Sequence, residues 1–220
     1  PRLTPATQAK RREHILEAAE LCFARTGFHR TTMNDICREA GVSAGALYIY
    51  FPSKEALIAG LCERDRAEFS RRFSELSAAP DLLEALGVIA QRYFVEEPAH
   101  KRLLTIEVGV ESTRNPEIGE LFHTVDTYVR ESFEALFRRL KAEGRIDPIM
   151  SIEEVTRLFL VLGDGLFWRR AISPSFDAAL SIAAVLQTLA TVLRPATLPT
   201  SFAIPAGARA PARTSEKADA

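Results

Sequence analysis

The 220-residue sequence predicts an all-α protein, and three observations lead to this fold class. Apolar residues recur at intervals of three and four, which places them on one face of a helix. Helix-capping residues precede these runs, and glycine or proline follows them. No segment alternates apolar and polar residues in the manner of a half-buried strand. The alternating strands and helices of an α/β protein are therefore not predicted.

Three short helices are predicted in the first 54 residues. The first has an apolar face made by Ile15, Ala19, Cys22 and Phe23. Thr32 and Asp35 resemble a capping box that opens the second helix, and Gly41 ends it. Ser43 can cap a third, very short helix. Pro52 must terminate this third helix, because proline disfavours helical geometry in the residue before it.

Longer helices are predicted in the rest of the chain. Ser53 caps a helix that runs to about Pro80, and Asp81 opens another that Pro98 closes. Further helices are expected at about 99–112, 115–144, 151–173 and 177–194. Residues 195–220 are rich in proline and alanine without a helical period, which predicts a flexible tail.

The composition, 47% hydrophobic and 26% charged, is that of a globular protein with a net charge of −1. Residues 1–60 hold eight Lys and Arg against six Asp and Glu, a net of +2, whereas residues 61–220 hold 20 against 23, a net of −3. The segment PRLTPATQAK lacks the apolar core of a signal peptide, and no apolar run approaches the roughly 20 residues that span a bilayer. We therefore expect a cytoplasmic protein that does not bind membranes.

The cysteines and histidines are not spaced like ligands of a metal. Cys22, Cys37 and Cys62 are odd in number and far apart, which disfavours a disulfide framework or a zinc site. We interpret them as small buried hydrophobic residues, with a redox sensor as the alternative. The four histidines, at positions 14, 29, 100 and 123, show no metal-ligand spacing, so no metal or other cofactor is expected.

The residues from Gly41 to Gly45 match G-x-S-x-G, the turn on which many hydrolases mount a nucleophilic serine. That turn requires a buried strand before it, but the preceding segment TMNDICREA has the pattern of an amphipathic helix. Catalysis by Ser43 is therefore disfavoured, and we do not expect an enzyme. A serine hydrolase remains the alternative.

A helix-turn-helix is the favoured interpretation of residues 32–51. Such a unit joins two helices by three or four residues and exposes the second helix to base edges. Gly41, Val42 and Ser43 would form the turn. The small residues Ala44, Gly45 and Ala46 would let the backbone approach the major groove, where alanine methyls can contact thymine methyls. This pattern predicts binding to double-stranded DNA.

Polar residues around this unit suit contacts with phosphate. Thr32 offers a hydroxyl at a helix N-terminus, and Tyr48 and Tyr50 offer hydroxyls on a short turn of helix. Lys54 lies in the first turn of its helix, where the macrodipole disfavours a cation unless an external anion pairs with it. Ser43, interpreted as the cap of the third helix, is also counted among the DNA-binding residues. The alternative for the two tyrosines is a core position.

The run ILEAAELCFARTGFHRTTMNDICREAGVSAGALYIYFPSKEALI carries several motifs in register: AA…F…G, TTM.DI…AGVS.G.LY.YF and SKE.L. Over residues 9–69 it resembles the N-terminal domain of the tetracycline-repressor (TetR) family of bacterial transcriptional regulators. The resemblance implies an all-helical homodimer, with Ala44 to Ala46, Tyr48, Tyr50 and Lys54 facing DNA. Ile49 departs from the family pattern, since similar proteins often place an aromatic or basic residue there, and a weaker phosphate contact is expected.

Residues 70–194 predict a ligand-binding and dimerisation domain. The run EEVTRLFLVLGDGLFWRRAI is apolar on nearly every face, and so is ALSIAAVLQTLATVL. We expect a homodimer through these last two helices, with Gly163 and Gly165 permitting close approach. The alternative is that the first of them is a simple core helix.

A small, largely apolar effector is expected to bind between the helices from Asp81 to about Gly144. The candidate contacts are Phe94, Glu107, Arg114, Phe122, His123, Asp164, Phe167 and Trp168. Glu107 and Arg114 could instead form a surface pair, and His123 could be a core or solvent-facing histidine. The resulting expectation is a repressor that binds a palindromic operator and releases it when the effector binds. A helical ligand-binding protein without a DNA function is a further alternative.

Overall fold

The computed structural model describes residues 4–197 and confirms the all-α fold class. The helices found there are α1 (Pro5–Thr26), α2 (Met33–Ala40), α3 (Ala44–Tyr50), α4 (Lys54–Ala78), α5 (Leu82–Ala90), α6 (Ala99–Glu111), α7 (Pro116–Ala142), α8 (Ile152–Ile172) and α9 (Ala178–Leu193). Within the described residues the β-type pairing consists of one antiparallel bridge, between Ile146 and Pro195.

Side-chain caps hold the helix starts where the sequence predicts them. Thr32 and Asp35 form the capping box of α2, and Ser43 Oγ accepts a hydrogen bond from Ala46 N at the start of α3. The same arrangement recurs at Ser53 for α4, and in the longer helices at Asp81, Asn115, Ser151 and Asp177. Each cap satisfies amide groups that have no partner within the helix.

One helical segment differs from the prediction. The sequence predicts a single helix over residues 81–98, but α5 changes at Gln91 into a π-helical turn, Gln91–Glu96. Glu97 N donates to Arg92 O, five residues back, and Pro98 follows. The carbonyls near the end of this turn are satisfied from outside, because Arg170 Nε donates to Phe94 O and Arg102 Nη1 donates to Glu97 O. Tertiary contacts of this kind cannot be read from helical periodicity.

Two hydrophobic cores are joined through shared helices. The first lies among α1, α2, α3 and the first half of α4, and includes Ile15, Leu16, Phe23, Ile36, Leu47 and Leu57. The second lies among α4, α5, α7, α8 and α9, and includes Phe133, Phe137, Leu140, Val155, Leu186 and Leu189. Leu104 of α6 and Ile118 of α7 belong to the first core. The N-terminal domain is therefore completed by residues beyond the predicted boundary at 69.

The predicted flexible tail, 195–220, falls almost wholly outside the described residues. Of its first three residues, Pro195 pairs with Ile146, and Ala196 N donates to Arg145 O at 2.9 Å. The start of this segment therefore packs on the loop between α7 and α8. No helix within residues 4–197 is both long enough and apolar enough to cross a membrane.

Gly60 of α4 packs tightly against Leu16 of α1 and against Phe51, which follows α3. A Cβ added at Gly60 would lie 2.9 Å from Phe51 Cε1 and 3.0 Å from Leu16 Cδ2, both on fully buried side chains. Gly60→Val is therefore expected to lower the free energy of unfolding by about 1–3 kcal/mol through overpacking. Thermal or urea denaturation measures the change.

Gly109→Ala is the matched control, because a Cβ there meets only Phe122 at 3.8 Å, an ordinary contact. Alanine at this interior position of α6 is expected to be neutral or stabilising, since glycine is a poor helix former. Equal stability of the Gly60→Val and Gly109→Ala proteins would contradict the tight packing inferred at Gly60.

Candidate DNA interface and ligand cavity

A compact helix-turn-helix is formed by α2 and α3. Gly41 ends α2 in the left-handed conformation, at φ 60° and ψ 32°, and Val42 N donates back to Cys37 O at 3.0 Å. Leu47 is fully buried and anchors α3 to the core, while Phe51 is buried just after its end. The short α3 therefore has a fixed orientation, with its opposite face directed outwards.

The outward face of α3 consists of small and apolar residues. Ala44 and Gly45 are exposed, and a Cβ added at Gly45 would meet nothing within 4 Å. Tyr48 is 52% exposed and Ile49 is 81% exposed. Small apolar residues on this face would suit close contact with base edges, and the exposed hydroxyl of Tyr48 could donate to a phosphate.

Thr32 and Ser43 both serve as helix caps. Thr32 Oγ1 donates to Asp35 Oδ2 at 2.6 Å and accepts from Asp35 N, while Thr32 N donates to the same carboxylate. The hydrogen bonds from the Thr32 side chain, followed by that from its backbone, hold the pKa of Asp35 below its usual range. The hydroxyl and amide of Thr32, which we expected to be free for phosphate, are therefore already engaged. Any contact of Thr32 with DNA has to share this capping box.

Lys54 and Tyr50 also have internal partners. Lys54 Nζ donates to Phe28 O at 2.5 Å and lies 4.4 Å from the centre of the Phe28 ring. The expectation that Lys54 lacks a partner inside the protein is therefore corrected. Tyr50 is half-buried and packs against the N-terminal core, so its ring matches the alternative reading as a core aromatic. Among the predicted phosphate contacts, Tyr48 is the one whose side chain is largely free of the core.

Ser43 lies between two helices rather than between a strand and a helix. Its Oγ accepts a hydrogen bond from Ala46 N at 3.2 Å, which accounts for the serine as an N-cap. The strand-to-helix turn of a hydrolase is thus missing around Ser43.

A ligand-sized cavity of about 380 Å³ lies inside the C-terminal bundle. Its walls come from α4, the α5 and π-helical segment, and α6 to α9, and Glu20 of α1 also lines it. Most of the lining is aromatic or aliphatic and includes Phe69, Phe73, Tyr93, Phe133, Val129, Phe159 and Leu186. Phe133 and Phe159 have ring centres 4.3 Å apart, and Phe69 and Phe73 stack at 5.4 Å. The cavity is therefore suited to an apolar body.

Three of the eight predicted ligand contacts line this cavity: Phe94, Asp164 and Phe167. Phe94 and Phe167 both contact Tyr93, whose ring centre lies 5.2 Å from one and 5.6 Å from the other. Partial burial, followed by the negative charge of Asp126, raises the pKa of Asp164. These three residues stay in our proposal for the effector site.

Glu107 lies away from the cavity, at the junction of the two domains. Its Oε1 accepts a hydrogen bond from Phe28 N at 2.7 Å, in the loop after α1. One turn further along α6, Glu111 is 4% exposed and lies 2.8 Å from His29 Nε2. The two carboxylates hold α6 against the loop that precedes the helix-turn-helix. Glu107 is therefore an interdomain contact rather than a cavity residue.

The other four predicted contacts also lie outside the cavity lining. Arg114 and His123 are exposed, the first in the turn after α6 and the second on α7. Phe122 is 39% exposed and approaches Gly109. Trp168 is 49% exposed on α8. Helical periodicity places these side chains on a face but does not tell which neighbour covers that face.

Several residues that line the cavity were not among the eight predicted ligand contacts. Phe69 and Phe73 repeat at four residues on α4, and a search for aromatic residues at that spacing would have found them. Arg102 has no such signal, because it follows Lys101 in a run whose periodicity does not say which basic residue is buried. The described part of the chain contains no group of three or more His, Cys, Asp or Glu that could hold a metal ion. Cys22 and Cys37 are buried and Cys62 is half-buried, all three as free thiols.

Family models match both domains of the chain. The model described as "Bacterial regulatory proteins, tetR family" matches residues 15–61, which include the whole helix-turn-helix. The model described as "BetI-type transcriptional repressor, C-terminal" matches residues 84–194. Together they span the N-terminal core and most of the bundle that holds the cavity.

Similar proteins agree with these matches. The transcriptional regulator UidR of Escherichia coli K12 is 30% identical over 159 residues, which are 70% of this chain and 79% of UidR. The structure of Salmonella enterica GusR is 30% identical, with a TM-score of 0.71 over 88% of this chain and all of GusR. The SmeT–triclosan complex has a TM-score of 0.73 at 22% identity, over 88% of this chain and 99% of SmeT. The chain belongs to the TetR family of bacterial, DNA-binding transcriptional regulators.

Proposed function

We propose that this protein is a dimeric repressor that binds a palindromic operator and releases it when a small, largely apolar effector enters the bundle cavity. The observation that carries the proposal is that an exposed reading helix, α3, and an apolar cavity of about 380 Å³ occur in one chain, linked by α6. A relative named as a repressor, AcnR of Corynebacterium efficiens, is 26% identical over 84% of this chain. Its name supports repression rather than activation by this protein.

The face of α3 supports specific roles for its residues. Ala44, Gly45 and Ala46 would lie against base edges in the major groove, with the alanine methyls on thymine methyls. Tyr48 would donate its hydroxyl to a phosphate. Thr32 and Ser43 would approach the backbone at the N-termini of their helices.

Lys54 has a different proposed role, because its ammonium group is bonded to Phe28 O. We propose that Lys54 positions the loop after α1 and adds positive potential near the DNA. Tyr50 would reach phosphate only through its hydroxyl, since its ring packs on the core.

The two copies of the chain would associate through α8 and α9. Val161, Gly165, Trp168 and Ile172 follow one another at four, three and four residues, which places them in one stripe along α8. The three large side chains of this stripe are 49–60% exposed in a single chain. The neighbouring helix α9 contains no charged residue from Ala178 to Leu193. An exposed face without charges supports burial against a second copy.

The proposed route from effector to DNA passes through α6. Its Leu104 and Thr105 line the cavity, and its Glu107 and Glu111 contact the loop after α1. Lys54 Nζ contacts the same loop at Phe28 O. An effector that shifts α6 would thereby move the N-terminal domain and change the spacing of the two reading helices. The SmeT–triclosan complex supports the idea that this fold accommodates a small apolar molecule.

A gel-shift titration on DNA upstream of the gene tests the proposal. Sequence-selective binding by a dimer is expected, with loss of affinity as salt rises because phosphate contacts release counterions. A shift that does not distinguish operator from unrelated DNA at any salt concentration would overturn the proposed operator binding.

Tyr48→Ala is expected to weaken binding to operator and unrelated DNA by a similar factor, about three- to tenfold, because one phosphate hydrogen bond is lost. Ala46→Arg instead places a long side chain on the base-facing side of α3, and is expected to change sequence preference or block docking. Fluorescence anisotropy with both DNAs measures the two effects. Unchanged affinity of the Tyr48→Ala protein would argue against a phosphate contact at this position.

A further inference from the structure

Several cations of the cavity lining are paired with carboxylates of the protein. Arg72 lies 3.6 Å from Glu97 and also contacts Glu68, while Lys101 lies 3.1 Å from Glu97. Arg64, also in the lining, is paired with Glu20 of α1. Each of these cations therefore has a carboxylate partner within the protein.

Arg102 is the exception among the buried cations of this lining. It is 5% exposed, lines the cavity, and forms no ion pair with any carboxylate in residues 4–197. The one hydrogen bond from its side chain runs from Nη1 to the backbone oxygen of Glu97. Its Nε has no partner among the described residues. A guanidinium remains charged at any ordinary pH, so the charge itself is buried without a counter-ion.

Neighbouring charges make the charged form of Arg102 still less favourable. Burial, followed by the positive charge of Arg170, lowers the pKa of Arg102. The carboxylate whose charge acts on Arg102, that of Glu97, is already paired with Lys101 and Arg72. An unpaired buried charge is strongly destabilising, and one hydrogen bond to a carbonyl offsets only part of that cost. The capping bond to Glu97 O alone therefore does not account for an arginine here.

Glu20 Oε1 is the other buried side-chain atom without a hydrogen-bond partner among the described residues, but a histidine lies close to it. Glu20 Oε1 makes no hydrogen bond of good geometry, but it lies 3.1 Å from His100 Nε2, and Glu20 Oε2 is paired with Arg64. Asp164 also lines the cavity, but partial burial and the charge of Asp126 raise its pKa, so protonation can remove its charge, which is not possible for a guanidinium. Arg102 is thus the lining residue that most requires a group from outside the protein.

We infer that Arg102 binds the carboxylate of an amphipathic effector, whose apolar body lies among the phenyl rings of the cavity. A carboxylate matches the planar fork of a guanidinium and would accept hydrogen bonds from those of its N–H groups that have no partner in residues 4–197. The inference rests on the proposed function, because it assigns a chemical class to the effector of that same cavity. The apolar walls and the volume of about 380 Å³ favour a body of one or two fused rings or a medium-length chain.

Three probes with one naphthalene body test the charge preference: 2-naphthylacetate, 2-(2-naphthyl)ethanol and 2-(2-naphthyl)ethylammonium. Calorimetric titration of the full chain is expected to show about 10- to 100-fold tighter binding of the acetate than of the other two. Arg102→Gln keeps a donor for Glu97 O and is expected to reduce acetate affinity to that of the alcohol. Affinity for the alcohol is expected to change by less than about twofold.

Thermal unfolding without ligand separates a binding role from a structural one. If Arg102 is kept for a ligand, Arg102→Gln removes an unpaired buried charge and leaves Tm unchanged or higher. If the guanidinium itself is needed for the structure, Tm falls even though glutamine keeps a donor for Glu97 O. Arg92→Gln is the matched control, because Arg92 lies in the π-helical turn just before Glu97, is half exposed and is not part of the lining.

Four results would overturn the inference. These are equal binding of the three probes, an acetate preference that survives Arg102→Gln, tighter binding of the ammonium, which would assign the polar contact to Asp164, and no binding of any probe at millimolar concentration. Release of operator DNA is measured separately in the gel shift. Tight, Arg102-dependent acetate binding without DNA release would leave the inference standing and count against the proposed release mechanism.

Discussion

Val161→Asp is expected to turn the proposed dimer into monomers and to reduce affinity for the proposed operator by at least about 100-fold. Val161 is 60% exposed in a single chain and lies in the stripe that continues through Gly165, Trp168 and Ile172. In a twofold interface the same patch is contributed by both copies, so one substitution buries two carboxylates. Their desolvation costs several kcal/mol in the absence of a cation partner.

The loss of operator binding follows from geometry. A palindromic site is read by two helices about 34–36 Å apart, and a monomer supplies one of them. The monomer keeps its own contacts but loses the contribution of the second half-site, which enters the affinity as an effective concentration. Non-specific binding at low salt is expected to survive, because it depends on phosphate contacts within one copy.

Sedimentation and gel-shift titrations on the Val161→Asp protein measure the two effects. Leu180→Asp on α9 is a second probe of the same surface, since Leu180 is 71% exposed and its helix contains no charge. Val88→Asp is the matched control, because Val88 is 49% exposed on α5 and lies outside both α8 and α9. A dimer that tolerates both Val161→Asp and Leu180→Asp would require an interface on another face.

Helix ends could be predicted because their signals are local. Thr32 with Asp35, and Ser151 with Glu154, hydrogen-bond within four residues of each other, so the sequence alone carries the geometry. Gly41 could likewise be assigned to a turn, since only glycine adopts φ 60° without strain. The buried stripe of each N-terminal helix follows from the same short-range periodicity.

The cavity lining could be predicted only in part, because it depends on how distant helices pack. Phe94 and Phe167 were found as aromatic residues of the correct helices, but Trp168, the neighbour of Phe167, points outwards. Glu107 accepts a hydrogen bond from the backbone N–H of Phe28, 79 residues away. No local sequence pattern predicts that contact. Lys54 shows the same limit, since its partner Phe28 O lies 26 residues back along the chain.

Arg64→Met is expected to lower the free energy of unfolding by about 3 kcal/mol or more, or Tm by roughly 6–12 °C. The carboxylate of Glu20 is 4% exposed and pairs with Arg64, which also lies 3.3 Å from Glu13. Methionine fills similar space but leaves the Glu20 carboxylate buried, with His100 as its remaining neighbour at 3.1 Å. Breaking a buried pair from one side is costly because the other charge loses its partner without regaining water.

Arg71→Met on the same helix is the matched control for the Arg64→Met protein. Arg71 and Glu75 are 64% and 57% exposed, so water replaces their pairing and a change within about 1 kcal/mol is expected.

Adding Glu20→Gln to Arg64→Met removes the unpaired carboxylate of Glu20, and the double variant is therefore expected to be more stable than Arg64→Met alone. If the double variant were instead less stable by the sum of both single changes, the cost would lie in lost packing around α1 and α4 rather than in the isolated carboxylate. Equal losses for Arg64→Met and Arg71→Met would likewise remove the special role of the buried pair in joining α4 to α1.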